Sequence, residues 1–110
     1  MSRDFTVVFK NGQQNDYIVG AESAFSRYIL KPAKQLGLFI LVDYDENTQI
    51  INSLDNAHQL LGELQQVIGF LTTDPDENSE FYVETRLQPI ADAVENAIDQ
   101  WQEIDYLWLT

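Results

Sequence analysis

No cysteine occurs anywhere in the chain, and histidine occurs once, as His58. The first absence excludes disulfides, thiolate nucleophiles and cysteine zinc sites. The second leaves nucleophilic triads and transition-metal centres little to build with. The five glycines (Gly12, Gly20, Gly37, Gly62, Gly69) stand alone, so no glycine-rich phosphate loop is present. Long apolar runs are missing as well. Leu38 to Val42 is the longest, five residues against the roughly 20 that span a bilayer. The opening residues lack the apolar stretch of a signal peptide. These features predict a soluble, cytoplasmic protein of bacterial style.

Positive charge is the other scarcity. Six lysines and arginines face 18 carboxylates, for a formal net charge of -12, and five of the six lie at or before Lys34. From Gln35 onward there are fifteen acids and one base, Arg86. Such a field gathers cationic partners and repels nucleic acid and anionic membrane. The chain is nonetheless built to fold. Its 45% hydrophobic content and thirteen aromatic residues are far from the composition of a disordered acidic tail, and 110 residues suit one domain, residues 1–110.

Local patterns give the elements. Phe5, Val7, Val8 and Phe9 form a strand that meets Asn11-Gly12 and returns over residues 15–19, an opening hairpin. Residues 22–35 carry helical spacing, with Arg27, Lys31 and Lys34 in a basic row. Pro32 either bends that helix or divides it into two, and Gly37 stops it. Residues 38–43 are apolar on both faces and read as a central strand, with Gln49 to Ile51 pairing back on it. The helix opening at Ser53 holds Leu54, Ala57, Leu60, Leu61, Leu64, Val67, Ile68 and Leu71 on one face. Residues 74–84 remain open between strand, helical turn and plug.

A last helix, from Thr85 to Glu103, is capped by Thr85 and Gln88, with Pro89 in its first turn. Tyr106 to Leu109 closes the chain as a strand or docked tail. The expected fold is α+β: one small, mostly antiparallel sheet packed against two to three helices.

Within the last helix Asp92, Glu95, Asp99 and Glu103 fall within about 80° of one another. Solvated faces usually interleave lysine with glutamate, since like charges three or four apart repel. This face repeats acids at those spacings, which favours partner binding over mere solubility. Asp76, Glu77, Glu80 and Glu84 on the preceding segment, with Tyr106 and Trp108 as aromatic anchors, complete the candidate partner-binding set.

Two acidic runs, starting at Asp43 and Asp74, imitate calcium loops. They place Thr48 and Ser79 where an EF-hand needs glycine, and Leu54 and Thr85 where it needs glutamate. Acidic turns that cap neighbouring elements are the simpler reading. No metal site, cofactor or catalytic set is expected. His58 reads as a surface residue, and the basic row as a counterweight to the acids.

In size, class, charge and lack of a catalytic set, the chain resembles the small acidic immunity proteins of bacterial toxin systems. These are the partners of contact-dependent inhibition toxins and the barstar-like nuclease inhibitors. The resemblance implies a cytoplasmic antitoxin that binds a cognate toxin, in the first instance a basic nuclease. Two other classes stay open: an acidic DNA mimic that occupies a DNA-binding protein, and a small adaptor domain whose charge serves solubility.

Overall fold

The computed structural model describes residues 2–73 and 75–110. Strands β1 (Ser2–Phe9) and β2 (Gln14–Ala21) form the expected hairpin. Its turn is a four-residue loop in which Gly12 takes φ 90° and donates to the Phe9 carbonyl. Strand β3 (Gln49–Ile51) and strand β4 (Ile104–Leu109) complete an antiparallel sheet of order β2-β1-β4-β3. The apolar C-terminus is therefore an interior strand, paired on both sides.

Alternation divides the residues of the sheet between two faces. Phe5, Val7, Val19, Ile51, Leu107 and Leu109 point to one side and are buried against the helices. The helices are α1 (22–36), α2 (Ile40–Asp43), α3 (Leu54–Thr73) and α4 (77–99). They supply Phe25, Ile29 and Ala33, then Ala57, Leu60, Leu64 and Val67, then Leu87, Ile90, Val94 and Ala97 to the same core. The α+β reading holds, with four helical segments among the described residues.

Helix α3 begins as expected, with Ser53 Oγ accepting from the Asn56 N–H at 3.2 Å. Helix α1 ends at Gly37, which adopts φ 69° as Leu38 N–H reaches back to the Ala33 carbonyl.

Pro32 and Pro89 are accommodated in the same way. A proline lacks the donor for the carbonyl four residues back and its ring presses on that carbonyl. In both helices a π-helical turn precedes it, Ser26–Leu30 and Val83–Leu87. There Lys31 and Gln88 donate five residues back, to Ser26 and Val83. Helix α1 is thus one continuous helix.

Helix α4 corrects two expectations. It starts at Glu77, so residues 77–84 are helical, while Asp74 lies outside the described residues. The hydroxyl of Thr85 donates to the Phe81 carbonyl inside the helix instead of capping it. The helix also ends at Asp99, ahead of a 3₁₀ turn, Trp101–Glu103.

The expected central strand at residues 38–43 is not a strand. Leu38, Ile40 and Leu41 are buried among helices, and residues 40–43 form α2. Strand β3 consequently pairs with β4 alone. The reason is a distant side chain. Glu63 on α3, 3% exposed, accepts from the N–H groups of Phe39, Ile40 and Leu41 at 3.4, 3.1 and 3.0 Å. Gln59 Nε2 supports it at 3.1 Å. The carboxylate satisfies donors that a helix start leaves unpaired.

Arg3 closes the other end of this region. Its guanidinium lies 4.0 Å over the Phe25 ring and 4.7 Å over Tyr44. It donates to Glu22 at 2.6 Å and to the Tyr44 and Asp45 carbonyls at 2.7 and 2.9 Å. Tyr44 in turn donates from its hydroxyl to the Thr110 carbonyl at 2.7 Å. Burial pushes the Tyr44 phenol up to about 12, against the pull of Arg3. Tyr82, whose hydroxyl donates to the Val19 carbonyl, is pushed up too, by burial first.

Two outcomes follow. Glu63→Ala should cost about 2–4 kcal/mol, because three buried or part-buried donors lose a charged acceptor. Glu63→Gln should cost less; urea midpoints at unchanged slope measure both. For the tyrosines the raised folded pKa means their contribution is complete below the unfolded value of 10.0. It is lost progressively as pH climbs above that value, for Tyr44 through about 12. Stability followed from pH 9 to 12 should therefore fall, and fall less in the Tyr44→Phe, Tyr82→Phe double variant.

Candidate protein interface

Asp76 starts α4 through a reciprocal cap. It accepts from the Ser79 N–H at 2.7 Å, and its own N–H donates to Ser79 Oγ at 3.0 Å. The Ser79 backbone bond holds the Asp76 carboxyl below its ordinary value. From there one side of the helix buries Tyr82, Val83, Leu87, Ile90, Ala91, Val94 and Ala97. The other carries Glu77, Glu80, Glu84, Asp92, Glu95 and Asp99, all exposed. What sequence divided between an undecided segment and a helix is one acidic stripe, about 33 Å long at 1.5 Å per residue.

Among the described residues none of these six carboxylates meets a cation, since the ion pairs present use Glu22, Asp45 and Asp76. Asp92 accepts from Gln88 Nε2 at 2.9 Å. Arg86, the one base on the helix, is half-buried and approaches only the Thr85 carbonyl.

Two acids of the predicted set stand apart from the stripe. Asp76 sits 4.0 Å from Arg27 and lines a cleft of about 530 Å³ with Arg27, Tyr28, Lys31, Pro32 and Phe70. Glu103 lies beyond the end of α4 in the 3₁₀ turn, exposed beside the hairpin loop.

Tyr106 and Trp108 are further away still. Register places Trp108 opposite Thr6 and Ile50, and Tyr106 opposite Val8. They stand on the face of the sheet that the helices do not cover. Ile18 (53% exposed), Ile50 (59%) and Trp108 (36%) are the large apolar side chains open to solvent there. Asp4 and Asp16 share this face, opposite Ile18 and Thr6 in the β1–β2 register. Asp105 is exposed in the β4 bulge beside Tyr106. Sequence reasoning passed over Ile18, Ile50, Asp4 and Asp16. Their alternation with the buried residues of the same strands was the available signal.

The basic row is split by the packing. Arg27 and Lys31 border the cleft beside Asp76, whereas Lys34 faces a second concavity with Asp43, Asp45 and Glu46. His58 is exposed on α3. In the first acidic run the Asp43 carboxylate accepts from Asn47 Nδ2 and Gln49 Nε2, so it braces a turn. Among the described residues no three potential metal ligands cluster, and no helix is long and apolar enough to cross a membrane.

The most perturbed phenols, Tyr44 and Tyr82, serve as donors to backbone carbonyls inside the fold. Perturbed groups with that employment are structural. The surface presents exposed carboxylates along α4 on one side, and aromatic and aliphatic groups among carboxylates on the other. No family model matches the chain, and no curated protein or solved structure was found similar to it.

Proposed function

We propose that this chain is a non-catalytic, immunity-type protein that binds and neutralises a basic protein toxin, a nuclease in the first instance, in the cytoplasm. The observation that carries the reading is the stripe of six exposed carboxylates on α4 without a neutralising cation. A nuclease must hold phosphates with cationic side chains, and an acidic inhibitor exploits the same groups. Steering by such a field raises association rates to about 10⁸–10⁹ M⁻¹s⁻¹ at low salt.

Charge density separates this reading from a DNA mimic. Six charges over about 33 Å give one per roughly 5–6 Å, whereas duplex DNA carries one per about 1.7 Å. The stripe is too sparse to reproduce a phosphate array, and it suits a single complementary protein surface better.

The test is co-expression with the C-terminal domain of whichever protein is encoded immediately upstream, followed by growth rescue and binding kinetics against salt. A tight complex that silences toxicity supports the proposal; a well-folded protein that neither binds nor rescues overturns it. Replacing Asp92, Glu95 and Asp99 by lysine should slow association about tenfold or more at low salt and flatten its salt dependence. Circular dichroism should be unchanged, because all three side chains are exposed. Unaltered kinetics in this variant would exclude α4 as the steering face.

A further inference from the structure

The geometry points to the bare face of the sheet as the anchoring surface for a cationic protein partner, one presenting an aliphatic cluster edged by lysine or arginine. The inference rests on the proposed function, whose partner it describes chemically.

One row crosses all four strands: Ile50, Trp108, Thr6 and Asp16, each opposite the next. With strands about 4.8 Å apart, Asp16 lies about 10 Å across the sheet from Trp108. A second row sets Tyr106 beside Val8 and Gln14, and Asp4 faces Ile18. Asp16 uses Oδ1 to accept from the Thr6 hydroxyl at 2.7 Å, which fixes the carboxylate on this face. Ile50, Trp108 and Tyr106 lie on β3 and β4 with Asp105 beside them, and Asp4 and Asp16 lie on β1 and β2 with Ile18 between them. Among the described residues no lysine or arginine belongs to these rows.

Interface anchors are enriched in tryptophan and tyrosine, whose ordered rings desolvate large areas. Trp108 and Tyr106 stand on a strand paired on both sides, so their backbone needs no further ordering on binding. The same surface disfavours a second copy of the chain. Two-fold packing brings a face onto itself, and here it would enclose two copies each of Asp4, Asp16 and Asp105 in one interface to which these rows bring no lysine or arginine. A cationic surface meets the carboxylates with opposite charge while its aliphatic groups cover Trp108, Ile50 and Ile18.

This assigns different kinetic roles to the two sides. The α4 stripe governs approach, and the sheet face governs residence. An immobilised synthetic amphipathic helix, its leucine ridge flanked by lysines, serves as the probe. Wild type should bind it, and a Trp108→Ala, Ile50→Ser variant with native circular dichroism should dissociate about tenfold faster or more. The Asp92, Glu95, Asp99 reversal should act on association instead. Equal dissociation from wild type and the sheet variant would overturn the inference while leaving the cationic-partner reading intact. No binding by wild type at low salt would overturn both. A wild-type dimer in sedimentation that Trp108→Ala dissolves would likewise overturn it, because the face would then belong to a second copy.

Discussion

The arrangement of the helical layer depends on one buried carboxylate. Glu63 reaches from the middle of α3 to three consecutive backbone N–H groups at the start of α2. That contact turns an apolar run into a helical plug and sets Leu38, Ile40 and Leu41 in the core. It also directs the chain toward β3 at the sheet edge. Arg3 fixes the same region from the opposite side by gripping the carbonyls of Tyr44 and Asp45. Between these two groups the connection from α1 to β3 has few other conformations open to it. Both are charged residues in unusually enclosed positions, and both do their work through hydrogen bonds to backbone.

Elements specified by their own sequence were legible. The Asn11-Gly12 hairpin, the capped helix after Ser53 and the Gly37 stop each follow from local rules, and each is present. Elements determined from afar were not. Nothing within Leu38 to Val42 announces that Glu63 will cap it, and five apolar residues look alike as strand or helix. Pro89 misled for a related reason. Proline suits a first helical turn, and only tertiary packing shows that a π turn carries the helix through it.

The acids of the candidate surface were legible as residues but not as a surface. Glu77 and Asp99 share a stripe because one helix continues through residues 83–87. Tyr106 and Trp108 read as aromatic anchors of the same surface, yet strand parity sets them on the far side of the sheet. Parity depends on the β4 bulge, where register shifts between Val8 and Phe9, and a shift of one residue exchanges faces. The structure thus divides the candidate residues between two faces that differ in chemistry.

The π turn at Val83–Leu87 has a consequence for how the chain can vary in length. It acts as a phase adjuster between two helical blocks that both lie on the same core. It holds one residue more than an α-helical turn, so removing one residue there would restore a regular α-helix and leave Gln88–Asp99 in phase with the block before it. Ile90 and Val94 would stay on the core, and the cost would fall on Pro89, whose ring would press on the carbonyl four residues before it. The hairpin loop at residues 10–13, by contrast, ends no packed element on its tip. Length changes are therefore admissible at the hairpin tip, whereas in the last helix a residue lost from the regular turns would rotate the acidic face toward the core by about 100° and one lost from the π turn would not.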